Sequence, residues 1–113
     1  MEISVTGRHM EISDALRDYA QLAITNALRD FPRIESAHLV LEIEKHRHNA
    51  EINVQGPPHI RAEGKATTED LYASIDAAIE RAARQVRKHW DKMTDHRHES
   101  LAEVERELTA PSE

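Results

Sequence analysis

Five cations crowd a stretch of twelve residues: Arg81, Arg84, Arg87, Lys88 and Lys92, with His89 among them and Asp91 as the single acid. On a helix, residues three and four apart are neighbours. Arg84, Lys88 and Lys92 therefore form one ridge, with Arg81 a turn earlier and Arg87 alongside. A helix dipole favours cations only within about its last turn, which accounts for Lys88 and Lys92 but not for a cluster reaching three turns back. A ridge of this kind neutralises a polyanion. A second basic run, Lys45-His46-Arg47-His48, reads as a strand edge and turn, and Arg8 and His9 could extend it. Structured RNA is recognised through phosphates and 2′-hydroxyls spread over a surface, and two separated patches on one compact body meet that demand.

Catalysis finds little support. Without cysteine the chain has no thiol nucleophile, disulfide framework or thiolate metal site. Its three glycines, Gly7, Gly56 and Gly64, belong to no nucleotide fingerprint, and none of its serines sits in a nucleophile elbow. The eight histidines include no HExxH pair; His46 and His48, two apart in an extended segment, are expected on one sheet face and in solvent. No cofactor and no metal are expected.

The net charge of -6 argues at first against an RNA partner. By region, residues 1–93 carry 13 Lys or Arg against 15 Asp or Glu, and residues 94–113 carry 2 against 6. The acidity is thus concentrated in the tail. A length of 113 residues, 39% hydrophobic and 32% charged, suits one small domain with a modest core. The start, MEISVTGRH, lacks the pattern of a signal peptide, and no segment is apolar enough to span a membrane, so a cytoplasmic location is expected.

Ile3 and Val5 alternate in a short first strand that Gly7 is expected to end. Ser13 caps a helix whose apolar stripe runs from Leu16 through Tyr19, Ala20 and Ile24 to Phe31, where Pro32 stops it. Period-two runs at Ala37–Ile43, Ala50–Val54 and Ile60–Ala66 predict three more strands in an antiparallel meander. A second helix follows Thr67, capped by it with Asp70 closing a capping box, and carries Leu71, Tyr72, Ile75, Ala78, Ile79, Ala82, Ala83 and Val86 toward Trp90 or Met93. The expectation is an α+β fold of order β-α-β-β-β-α: a four-stranded mixed sheet, its first crossover parallel, with both helices on one face. Residues 1–94 form the domain. Residues 95–113 form an acidic tail, disordered or marginally helical.

Three segments, VTGRHMEISDALRDY, EIEKHRH followed by AEINVQG, and EDLYASIDAAIERAARQVRKHWDKM, together resemble the short ribosome hibernation-promoting factor family, which includes the ribosome-associated translation inhibitor and the sigma-54 modulation proteins. The resemblance covers approximately residues 1–93. It implies the outline of a double-stranded-RNA-binding domain and no reaction. It also implies binding to 16S rRNA in the decoding channel of the small ribosomal subunit, over the A and P sites. The contact role passes to Arg81, Arg84, Lys88 and Lys92 first, then to Arg87, Lys45, His46 and Arg47, with Arg8 beside them. Tyr19, Tyr72 and Ile75 are expected in the core, and Trp90 against the tail or stacked on RNA. At Ala23, Asn26, Trp90 and Thr94 the family often carries lysine, so contact should concentrate on the second helix.

Two branches of the family fit. EIEKHRH and INVQG look closer to the branch that promotes paired 100S ribosomes with a separate modulation factor. The length and the acidic stretch 99–107 look closer to the branch that keeps inactive 70S ribosomes single. The promoting branch is preferred, with a free monomer as the expected state. A general double-stranded-RNA binder and a protein-interaction module using Trp90 are the readings outside the family. The roughly twenty residues beyond the second helix are too few for the ribosome-pairing domain that longer members carry.

Overall fold

The computed structural model describes residues 1–57 and 59–108, with side chains described through residue 91. The elements are β1 (Glu2–Arg8), α1 (Asp14–Ala27), β2 (Ser36–Glu44), β3 (Arg47–Gly56), β4 (Ile60–Thr68) and α2 (Leu71–Leu108). They build one sheet in the order β1-β2-β3-β4, with β1 parallel to β2 and the other pairs antiparallel. Parallel pairing needs a long crossover, which α1 supplies. Alternate strand residues, among them Val5, Leu39, Leu41, Ile52, Val54 and Ile60, join Leu16, Ala20 and Ile24 of α1 and Ile75, Ala78, Ala82 and Val86 of α2 in one core. The fold class and the one-sided placement of the helices are as expected. Each fully buried Leu, Ile or Val contributes roughly 1.5–3 kcal/mol. Among the described residues no helix is long and apolar enough to cross a membrane.

Several local expectations change. Gly7 does not end β1, which pairs through Arg8 with Glu42. Ser13 does cap α1, its hydroxyl accepting from the Leu16 amide at 3.1 Å. The helix stops at Ala27, however, before Pro32 is reached, and Phe31 is buried from a turn whose amide bonds the Leu28 carbonyl. An apolar stripe reports what is buried, and a buried turn residue continues it as well as a helical one. The cap of α2 is Asp70, whose Oδ1 accepts from the Tyr72 amide at 3.1 Å, while Thr67 remains in β4 and donates to Asn49. Ile43 falls beyond the helices at the hairpin tip and is 40% exposed. α2 also runs past Met93. The expected division at residue 94 falls within it, and the tail side chains lie outside the described residues.

Tyr19 and Tyr72 are not core residues. They sit 36% and 43% exposed on the flank where α1 meets α2, ring edge against ring face with centroids 4.8 Å apart. The Tyr19 hydroxyl donates to both Asp76 carboxylate oxygens, at 2.7 and 2.8 Å. A phenol that must keep its hydroxyl satisfied settles at such a rim. That hydrogen bond, then burial and the charges of Asp76 and Asp70, raise the Tyr19 pKa above its ordinary 10.0. A raised folded pKa means that this contribution is complete below the unfolded value and is lost as pH rises through the folded one. Tyr19→Phe should therefore be less stable than the parent near neutrality, and thermal melts should show the gap narrowing above about pH 10.

Candidate nucleic-acid interface

The approach of α2 to the sheet decides where its cations point. Gly64 of β4 lies under Ala78 and Ala82, where small residues on both sides let strand and helix backbones come close. With Ala78, Ala82 and Val86 facing inward, Arg81, Arg84, Arg87 and Lys88 are all exposed. Arg81 and Lys88 line the groove beside β4, Arg87 lines the cleft beside α1, and Arg84 borders both. The Lys92 side chain lies outside the described residues.

Each cation has a different tether. The Arg81 guanidinium donates to the Lys65 carbonyl, and four residues on, the Gln85 side-chain oxygen accepts from the Glu63 amide at 3.0 Å. β4 is an edge strand, and these bonds occupy two of its outward backbone groups. Arg17 of α1 does the same for β1 by donating to the Val5 carbonyl at 3.2 Å. Arg81 is thus a structural edge cap. Arg84 pairs with Glu80 at 3.2 Å, with both side chains 70% exposed. Such an i,i+4 pair contributes only a few tenths of a kcal/mol, so a phosphate can displace it. Arg87 lies over the Phe31 ring at 5.9 Å, and Phe31 in turn meets Trp90 edge-on at 5.8 Å. Trp90 therefore packs on the core. Lys88 has no acidic partner among the described residues.

Lys65 belongs to neither basic run of the sequence. It is exposed on β4, 3.9 Å from the carboxylate of Glu63, and the two line with Arg81, Arg84, Gln85 and Lys88 a groove of about 480 Å³ between strand and helix. The outward register of Arg61, Glu63 and Lys65 was available as a period-two signal. Its meeting with the helical ridge was not, because that depends on how α2 lies across the edge.

The other cations stand at the far end of the sheet. Lys45 and His46 form a two-residue turn between the paired Glu44 and Arg47. Arg8 is nearby on β1 and bonds Glu42 at 3.5 Å. Thr68, just before α2, pairs with His48 at this same end. Lys88 is therefore about 25 Å away along the helix, with the acids Asp70, Asp76 and Glu80 in between. His46 and His48 do not share a face: His46 is in the turn, while β3 carries His48 on the core side, where the Ser74 hydroxyl donates to its carbonyl at 2.6 Å. The turn breaks the extended spacing that had aligned them.

Lys45 adopts φ 57°, a left-handed conformation that favours glycine. Lys45→Gly should stabilise the hairpin by up to about 1 kcal/mol. If the ammonium meets a phosphate, the same variant should bind RNA more weakly. Urea unfolding and RNA titration of one preparation measure both.

The profile of the family described as "Sigma 54 modulation protein / S30EA ribosomal protein" matches residues 3–94. A ribosome hibernation promoting factor from Escherichia coli K12 is 37% identical over 99 residues, covering 85% of this chain and all of that protein. One from Azotobacter vinelandii is 32% identical over 84% of this chain and 88% of its own length. The N-terminal domain of Thermus thermophilus Protein Y superposes with a TM-score of 0.70 at 34% identity, covering 79% of this chain and 99% of that one. A ribosomal subunit interface protein from Coxiella burnetii, at 24% identity over 80% of this chain and 99% of its own, shares the fold with a TM-score of 0.74. With a profile match across most of its length and a relative matched from end to end, the chain belongs to the Sigma 54 modulation protein / S30EA ribosomal protein family.

Proposed function

We propose that this protein is a ribosome hibernation factor: it binds 16S rRNA in the decoding channel of the small subunit, blocks mRNA and tRNA at the A and P sites, and promotes inactive 100S dimers. The observation that carries the reading is the exposed ridge of Arg81, Arg84, Arg87 and Lys88 on a helix anchored to the sheet, in a chain whose relatives are named as hibernation promoting factors. Lys92 continues the ridge in sequence, and Lys65 widens it toward β4. Lys45, His46, Arg47 and Arg8 form a second contact at the other end of the body. Two sites about 25 Å apart suit a large folded RNA better than a short strand. The protein acts by occupying a site and catalyses nothing.

Cosedimentation with purified small subunits tests the binding. Affinity should fall steeply with salt, because phosphate contacts release counterions. Salt-independent binding would remove the ridge from the interface. Gradient profiles of stationary-phase ribosomes test the outcome: deletion of the gene should abolish 100S particles. The acidic composition of residues 94–113 favours the alternative in which inactive 70S ribosomes stay single, and that alternative predicts more 100S particles on deletion. Equal binding to isolated RNA duplexes would point instead to a general double-stranded-RNA module.

A further inference from the structure

Two strands bound the sheet, and their outer edges are covered unequally. At β4, Arg81 and Gln85 of α2 tie down two outward groups. At β1 the one such bond among the described residues runs from Arg17 to the Val5 carbonyl at 3.2 Å. The N–H and C=O of a strand residue point to the same side, and the side alternates from residue to residue. The Glu2 amide bonds the Glu35 carbonyl on the β2 side, while the Val5 carbonyl meets Arg17 on the other. Ile3, Val5 and Gly7 therefore turn their backbone groups away from the sheet. Apart from the Val5 carbonyl, these groups have no partner among the described residues. Such an open row is a template for another extended strand.

The sequence of β1 is complementary to itself. With a second β1 antiparallel to the first about a two-fold axis at Val5, the residues that exchange hydrogen bonds are Val5 with Val5 and Ile3 with Gly7. Glu2 then stands opposite Arg8, and Ser4 opposite Thr6, on the sheet face away from the helices. Glu2 and Arg8 are both exposed, and Arg8 has only the 3.5 Å contact with Glu42. Sliding one copy by two residues in either direction parts Glu2 from Arg8, so charge selects this register. The helix side agrees with it. Gly7 has no side chain, and Met10 Cγ and Ile12 Cδ1 lie 3.0 and 3.1 Å from the place its Cβ would take. Ile3, Met10 and Ile12 are each only partly buried. Setting Ile3 of one copy opposite Gly7 of the other brings these three apolar side chains together at both ends of the pair.

We propose that the β1 edge is a docking surface for a second copy of this chain, joining the two sheets into one of eight strands. Arg17 is the latch. In the single chain it occupies the Val5 carbonyl, which must be released before the central hydrogen bonds form, and in the pair the two guanidinium groups flank the axis. The free monomer therefore gives way to the pair only as concentration rises. The ridge of α2 lies toward β4, at the opposite edge of the sheet, so pairing leaves both ridges open.

Sedimentation equilibrium of the full chain over a concentration series, with amide hydrogen exchange at each concentration, tests this. The expected result is a dimer in which exchange at Ile3, Val5 and Gly7 slows several-fold, while Ser4 and Thr6, already in the ladder to β2, are unchanged. Arg17→Ala should tighten the dimer several-fold. Glu2→Arg should loosen it roughly tenfold, because the two-fold axis counts the substitution twice. Adding Arg8→Glu to Glu2→Arg should restore it. Whatever Arg8→Glu does to the contact with Glu42 persists in the double variant, so recovery reports on the pairing between copies. A dimer whose Ile3, Val5 and Gly7 amides exchange as in the monomer overturns the proposal, as does a double variant no better than Glu2→Arg. It is equally overturned if the chain stays monomeric at every concentration even with Arg17→Ala. Protection of those amides only in the complex with small subunits would then assign the edge to a strand of another protein.

Discussion

Replacing Arg84 and Lys88 together by alanine should lower affinity for the small ribosomal subunit about ten- to a hundredfold and leave the fold intact. Both side chains are exposed. The one ion pair lost, Arg84 with Glu80, is too solvated to matter for folding. Surface substitutions of this kind usually move stability by less than about 0.5 kcal/mol, so the loss reports on the interface. Each phosphate contact removed should also reduce the logarithmic salt slope by roughly one unit. The double variant should accordingly bind with a slope shallower by about two. Cosedimentation across a salt series gives both numbers. Parental binding by the double variant near physiological salt would mean that RNA meets another face, the hairpin of Lys45 and Arg47 being the next place to look.

Gly64→Ala should be the most damaging conservative change in the sheet, at about 3 kcal/mol or more. A Cβ there would run into the Ala78 carbonyl oxygen and come within 2.9 Å of the Ala82 amide nitrogen. These are backbone atoms of a helix whose neighbours are buried, so no side chain can swing aside. The strand or the helix must move as a body. A domain of this size has a total stability of only about 5–15 kcal/mol, and a bulkier Gly64→Val should not fold. In any Gly64→Ala population that does fold, α2 is lifted from β4. The bonds from Arg81 to the Lys65 carbonyl and from the Glu63 amide to Gln85 should then weaken together. Urea unfolding gives the stability loss, and faster hydrogen exchange at the Glu63 amide reports the lifted edge. An unchanged midpoint would show that helix and strand have slack at Gly64.

Most of the architecture was determined by the sequence alone, because it rests on local rules. Period two in three consecutive runs, a serine before a three-and-four stripe, and apolar positions confined to one face of each element leave few alternatives to a mixed sheet with both helices on one side. The cationic ridge was equally legible, since spacing on a single helix needs no partner to be read. Ends were harder. Phe31 continued the stripe of α1 from a turn, and Asp70 rather than Thr67 took the cap of α2, because burial and hydrogen bonding are shared between elements and the stripe shows only their sum.

The tertiary structure decided what each charged or aromatic group is free to do. Arg81 looked like the rest of its ridge and proved to be tied to the edge of β4, because an edge strand with unpaired backbone groups lay within its reach. Tyr19 and Tyr72 followed the core spacing and yet belong to the rim, because α1 meets α2 there and Asp76 offers the phenol a partner. Lys65 came to share a groove with Arg81, Arg84 and Lys88 only through the crossing of elements distant in sequence. A sequence of this kind states which side chains share a face of their own element. Which faces meet depends on the close approach at Gly64 and on the packing of α1 against α2, and those contacts exist only in the folded chain.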